Sequence, residues 1–257
     1  MSRLKEKLLS GQTPLGTHVS LGDSVITEML GILGFDYIWI DTEHTPLTLD
    51  GVEKHMIAAR AAGISPIVRV PENHPVRLKP VLEMGPDAVV IPQVNSYEEV
   101  VEAVRNCAYP PLGVRGWGPR YAAGNGTVAT EEYLRCARQK TMCFVQVENV
   151  NAVEALPKSA GVEGVDAFII GPCDLASSIG HIGDWNHPEA IRLIERTIET
   201  AHAHGKWIGV SYGMLSEEEI GVWKRRGVDF ISLGSDVDYI MSGGRLMLEK
   251  MRKVWSE

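Results

Sequence analysis

Short apolar runs recur along the chain, and most are followed by a stretch in which apolar positions return with helical spacing. Runs near 16–20, 35–40, 65–70, 87–91, 142–148, 165–170, 206–211 and 228–233 read as strands. Helix-period segments follow near 23–33, 48–62, 74–84, 96–107, 149–159, 188–204, 216–226 and 236–253. Near-continuous apolar runs are what strands buried on both faces require, and alternation with helices points to a parallel sheet. Eight such units predict an α/β fold, a closed (β/α)8 TIM barrel over 1–257 as one domain with an extended C-terminal helix. An open doubly wound sheet is the competing arrangement. No GxGxxG follows the first strand, and the count of eight favours closure.

The element ends carry their own signals. Asp23 and Ser24 are placed to cap the helix that ends near Gly34, and Thr48 precedes an amphipathic stretch that stops at Gly63. Ser216 followed by Glu217, Glu218 and Glu219 is a helix N-terminal signature. Gly205 and Gly227 stand where helices stop before the next strand. Two connections exceed what a minimal barrel needs. Tyr109–Thr127 is rich in proline and glycine and leads into a short helix at about 130–140; Ser177–His187 follows the sixth strand. Long loops in compact domains are usually functional or mobile.

Polar chemistry collects at or just past the strand ends. Gln146-Val147-Glu148 and Gly171-Pro172-Cys173-Asp174 follow strands expected to be neighbours. Two carboxylates from adjacent strand ends are hard oxygen ligands suited to Mg²⁺ or Mn²⁺; each alone also reads as a helix cap. Asp41 and His44 form a second pair, in which a carboxylate would orient an imidazole for proton transfer, with Glu43 between them. The plainer alternative is a loop histidine bonded to a capping aspartate. Arg69 interrupts an apolar strand, so it meets either a substrate oxyanion or an internal carboxylate. The backbone before Asp174 can face a substrate carboxylate, with Cys173 as a small wall residue rather than a nucleophile. His18 and Tyr212 end the first and seventh strands and are expected to line the same pocket. Arg115 either grips an anion or braces the long loop; His181 and His187 read as loop histidines. None of the lysines falls at the C-terminal end of a strand, so Schiff-base chemistry lacks its residue and a metal becomes the expected electron sink.

Composition narrows the partners. A hydrophobic content of 44% supports a large core, and a net charge of −8 gives no general reason to bind nucleic acid or an anionic membrane. The 4 cysteines form no CxxC pair, which suits reduced thiols in the cytoplasm. No run approaches the roughly 18 apolar residues of a membrane span, and the N-terminus lacks a signal-peptide pattern.

Taken in order, Gly34-Phe35-Asp36-Tyr37 through Asp41-Thr42-Glu43-His44, Pro66-Ile67-Val68-Arg69-Val70, Tyr109-Pro110-Pro111-Leu112-Gly113-Val114-Arg115-Gly116, Gln146-Val147-Glu148, Gly171-Pro172-Cys173-Asp174-Leu175 and Ser232-Leu233-Gly234-Ser235-Asp236 carry a resemblance. The chain resembles the metal-dependent (class II) pyruvate aldolases, which include 4-hydroxy-2-oxoheptane-1,7-dioate aldolase and 2-keto-3-deoxy sugar-acid aldolases. The resemblance covers nearly the whole chain. It implies reversible cleavage of a 4-hydroxy-2-oxo acid to pyruvate and an aldehyde, with Mg²⁺, Mn²⁺ or Co²⁺ on Glu148 and Asp174. It also implies Gln146 beside the metal, Arg69 on the enolate, His44 with Asp41 for the proton, and the backbone at 173 and 174 for the pyruvate carboxylate. A homo-oligomer is implied too, a hexamer built as a trimer of dimers, with 236–253 as an exchanged helix. Thr42, Thr45, Cys173 and His18 depart from the family's usual residues, and they bear on aldehyde preference. The rival functions are a lyase of acyl-CoA esters, an oxaloacetate decarboxylase and a non-catalytic sugar-acid binding protein.

Overall fold

A computed structural model describes residues 2–256. Its eight strands are β1 (Leu15–Val19), β2 (Tyr37–Asp41), β3 (Ser65–Arg69), β4 (Ala88–Ile91), β5 (Met142–Val147), β6 (Ala167–Ile170), β7 (Trp207–Tyr212) and β8 (Phe230–Ser235). All pair in parallel with their sequence neighbours, and β8 returns to β1, closing the barrel. The helices are α1 (Arg3–Leu9), α2 (Val25–Leu33), α3 (Leu49–Ala62), α4 (Pro75–Met84), α5 (Tyr97–Cys107), α6 (Thr130–Lys140), α7 (Val150–Ser159), α8 (Pro172–Ser177), α9 (Pro188–Ala203), α10 (Glu217–Arg226) and α11 (Asp236–Trp255).

The strands are apolar because both their faces are covered. One apolar cluster fills the space between barrel and helices, with Ile38, Val68, Val89, Val145 and Phe168 among its members. The other fills the barrel itself, where Trp39, Ile67, Val90, Phe144 and Phe230 point inward. Two glycines make room for aromatic rings there. A Cβ on Gly16 would lie 2.2 Å from the Tyr37 ring, and one on Gly209 would lie 2.3 Å from Phe230.

Two helices were not legible in the periodicity. α1 closes the N-terminal end of the barrel with Leu4 and Leu8, and the Leu4 N–H donates to Ser65 Oγ at 3.1 Å. α8 lies between the sixth strand and the Ser177–His187 loop, sharing Ser177 with it. It is a short helix opened by Gly171 and Pro172, whose first bond runs from Leu175 N–H to Gly171 O at 2.9 Å. The expected caps form at Thr48 and Ser216, the latter with Glu219 in a capping box.

The long excursion is braced from within. Arg115 is buried, its Nη2 lies 3.1 Å from Glu83 Oε1 and 3.3 Å from the Tyr133 hydroxyl, and its guanidinium lies 4.4 Å from the Tyr109 ring. Of the two roles open to it, the arginine takes the structural one. α11 behaves unlike the other long helices. Its first turn is fixed by Asp236, whose carboxylate accepts from the N–H groups of Ser20 and Leu21 at 2.9–3.1 Å. Beyond that turn, Ile240, Met241, Met247, Met251 and Val254 are exposed. Among the described residues no helix is long and apolar enough to cross a membrane.

Candidate active site

Parallel pairing brings the strand ends to one rim, as it does in every barrel of this kind. There they surround a cavity of about 500 Å³ lined in part by His18, Asp41, His44, Arg69, Gln146, Cys173, Asp174 and Tyr212. Glu148 stands just behind it, buried. No lysine is among the lining residues.

The register decides the central contact. Asp41 is the cross-strand partner of Arg69. Arg69 Nε and Nη2 donate to the two Asp41 oxygens at 2.9 and 2.7 Å, a bidentate pair. The third nitrogen, Nη1, lies 3.0 Å from Glu43 Oε2 and 3.5 Å from Gln146 Oε1. Burial alone would raise the Asp41 pKa, but the hydrogen bonds and charge of Arg69 outweigh it and hold the carboxyl below its usual range. The sequence pairs Asp41 with His44; the structure gives both Asp41 oxygens to Arg69. His44 sits at the exposed mouth, with Nε2 3.7 Å from Glu43 Oε2. Both departing threonines anchor this turn through their hydroxyls, Thr42 to the Arg69 carbonyl and Thr45 to the Asp41 carbonyl.

The other carboxylates lie close by. Gln146 Nε2 donates to Glu148 Oε2 at 2.9 Å, so one amide links Arg69 to Glu148. The other oxygen, Glu148 Oε1, accepts from the Gln93 N–H at 2.6 Å. Gln93 reaches it by adopting a left-handed φ of 55° just past β4. Burial, with the negative charges of Glu43 and Asp174 nearby, raises Glu148 to about 7. Glu43 is raised too, by burial first and, against the charge of Arg69, by Asp41 and Asp174. Gly171 keeps this corner open, since a Cβ there would lie 3.1 Å from Glu148 Oε2. Three carboxylates (Asp41, Glu43 and Glu148) therefore face one guanidinium, with a fourth, Asp174, beside the last two. Hard oxygen donors with unbalanced negative charge fit a divalent cation.

The opposite side of the cavity is uncharged apart from Asp238. His18 Nδ1 lies 2.8 Å from Gly234 O and Nε2 2.9 Å from Ser211 Oγ, with the ring 5.3 Å from Trp39. Burial lowers its pKa. Tyr212 rests edge-on against Trp185, which stacks on Trp223. Sequence reading missed Gln93, Ser211, Ser235 and Asp238. Their position just past or at a strand end was the one available signal, because serine and glutamine are common in loops. The two loop histidines lie together. His181 and His187 stack at 3.4 Å, and with Glu189 their ligating atoms lie within 4.8 Å, the one such group of three or more among the described residues. His187 already has a role, since its Nδ1 caps α9 at the Glu189 N–H.

The comparisons agree with this geometry. The family model described as HpcH/HpaI aldolase/citrate lyase matches residues 15–243. A 5-keto-4-deoxy-D-glucarate aldolase of Enterobacter sp. (strain 638) is 33% identical over 253 residues, 98% of this chain and 97% of the relative. The crystal structure of an HpcH/HpaI aldolase from Desulfitobacterium hafniense DCB-2 superposes with a TM-score of 0.90 at 29% identity, covering 97% of this chain and 96% of that one. The structure of the citrate synthase SbnG gives 0.88 at 28%, covering 99% of both. With matches of this extent and a closed barrel whose strand ends share one pocket, the chain belongs to the HpcH/HpaI aldolase/citrate lyase family and is a carbon–carbon lyase.

Proposed function

We propose that this enzyme cleaves a 4-hydroxy-2-oxo acid of the sugar-acid class, reversibly, to pyruvate and an aldehyde. The observation that carries the reading is the crowding of carboxylates beside Arg69, where burial first, and then the charges of Glu43 and Asp174, leave Glu148 holding a proton to about 7. Such a crowd suits a further positive charge. Glu148 and Asp174 would hold the divalent cation, Mg²⁺, Mn²⁺ or Co²⁺. When bound, it draws electron density from the substrate's 2-oxo group and offsets the charge that develops there.

The protein's own groups account for the rest. Arg69, fixed by Asp41 and Glu43, keeps a rigid cation beside the place where the 2-oxo oxygen becomes an enolate oxygen. His44, at the mouth, is placed to take the proton of the 4-hydroxyl, with Glu43 behind it. As that proton leaves, the C3–C4 bond breaks, its electron pair moves into the pyruvate half and the aldehyde departs. A proton returned to C3 completes pyruvate. Gln146 orients the Glu148 carboxylate, and the backbone at Cys173 and Asp174, in the first turn of α8, is the proposed seat of the pyruvate carboxylate.

The exposed apolar residues of α11 support docking on a second copy of the chain, as in a homo-oligomer with exchanged C-terminal helices. The free cysteines suit the cytoplasm. An acyl-CoA lyase reading finds little support, since Arg69 is the one arginine lining the cavity and no lysine does. The test is a product analysis. Incubated with 4-hydroxy-2-oxo acids, the enzyme should release pyruvate and aldehyde in equal amounts. Turnover confined to CO₂ loss from oxaloacetate would overturn the proposal.

A further inference from the structure

The cavity wall formed by β1, β7 and β8 is wired by hydrogen bonds whose directions are fixed. Gly234 O can only accept, so the His18 Nδ1 that faces it carries a hydrogen. Enclosure of the ring disfavours the imidazolium, which leaves Nε2 as an acceptor. The Ser211 hydroxyl at 2.9 Å must then donate to it, and Ser211 faces the cavity with lone pairs alone. The same reasoning applies one strand away. Ser235 Oγ donates to Asp238 Oδ2 at 2.8 Å and accepts from the Asp238 N–H at 3.2 Å. Asp238 adds a carboxylate to the lining. Gly234 O is already taken by His18 and by the Thr17 hydroxyl at 3.1 Å. This wall thus offers acceptors and one negative charge. Its single basic residue, His18, is neutral and has both nitrogens engaged. The cavity's guanidinium belongs to the opposite wall, held by Asp41 and Glu43.

From this wall we infer that the aldehyde half of the substrate is a neutral, hydroxyl-bearing chain that donates to Ser211 and Asp238, and that an aldehyde ending in a carboxylate is disfavoured. The inference rests on the aldolase reading above and narrows it, setting aside sugar diacids in favour of monoacids. A hydroxyl arriving here finds unfilled acceptors. A carboxylate finds a like charge and lone pairs, with no cation to offset the water it gives up. An aldehyde lacking hydroxyls leaves the acceptors unpaired, which is the stronger form of discrimination available to a polar site.

The aldol direction tests this with the full-length, metal-loaded enzyme. Pyruvate is the donor, and kcat/KM is measured for glyceraldehyde, propanal and succinic semialdehyde. Glyceraldehyde should exceed each of the others by at least about tenfold, the value of one well-made hydrogen bond. Ser211→Ala should lower the glyceraldehyde-to-propanal ratio by a similar factor. Asp238→Asn should narrow the gap between glyceraldehyde and succinic semialdehyde. Because ratios are read, partial misfolding of a variant does not imitate the result. Succinic semialdehyde used as well as glyceraldehyde would overturn the inference while leaving the aldolase reading intact. Ratios unmoved in both variants would do the same. Failure of every acceptor would overturn the reaction and the inference together.

Discussion

On one side of the cavity, the ends of β2 and β3 and the segment just past β5 bring Asp41, Glu43 and Glu148 around Arg69, and Asp174, just past β6, lies beside Glu43 and Glu148. On the other, β1, β7 and β8 present His18, Ser211, Ser235 and Asp238, with the hydrogens of the first three committed within the protein. The first wall holds more negative charge than its own residues balance. The second has one carboxylate, and the rest is neutral. A charged wall lowers the energy of a reaction in which charge develops, whereas a wall of directed acceptors sorts molecules that react alike. The division explains why Arg69 is immobilised by three neighbours while Ser211 and Asp238 keep acceptors turned toward the cavity.

The largest effect should come from the charged wall. Arg69→Ala removes the cation beside the developing oxyanion and leaves buried Asp41 without its partner. Pyruvate formation should fall on the order of 10³-fold, and breaking such a buried pair costs about 3–5 kcal/mol of stability. Arg69→Lys should recover little, because one ammonium cannot make the bidentate contact. A loss below tenfold would erase the distinction between the walls. His44→Ala should cost about 10²-fold in pyruvate formation. An unchanged rate would remove His44 from proton transfer.

A third effect concerns stability rather than rate. In metal-free protein, folded Glu148 keeps its proton to about 7, above its ordinary 4.5. The folded state therefore binds more protons than the unfolded one between those values, and stability falls as pH rises through that window. Glu148→Gln should lessen this fall and raise the Tm of chelated protein at pH 8 by several degrees. An identical pH dependence in the variant would show that Glu148 titrates normally. The smallest expected effect is in the wall of directed acceptors. His18→Phe keeps a ring against Trp39 but releases the Ser211 hydrogen toward the cavity, so preference for glyceraldehyde over succinic semialdehyde should shrink a few-fold. A preference left intact would mean that His18 does not set the direction of that bond.

The barrel was legible because its strands obey a simple burial rule. Tyr37–Asp41 and Ser65–Arg69 are buried at every position, and such runs stand out between amphipathic helices. α8 escaped notice because Pro172–Ser177 is too short to show a period, and α1 because it has little more than Leu4 and Leu8 to signal it. In the site, residue types were easier to find than their partners. Asp41 lies three positions from His44 in the chain, yet its contacts are with Arg69 on the next strand. That pairing depends on β2–β3 register, which sequence spacing does not encode. Gln93 acts through a backbone N–H, for which its side chain gives no clue. The role proposed for Ser211 depends on the direction of one hydroxyl hydrogen, which follows from its contact with His18 on another strand.

The central claim is that the charged wall is completed by a cation on Glu148 and Asp174. It is tested most directly by the initial rate of pyruvate release from a 4-hydroxy-2-oxo acid after exhaustive chelation, followed by titration with Mn²⁺, in the wild type and in Glu148→Gln. The account predicts that chelation abolishes the rate, that Mn²⁺ restores it saturably in the wild type, and that the variant recovers little at the same concentrations. A full rate in the chelated wild type would contradict it.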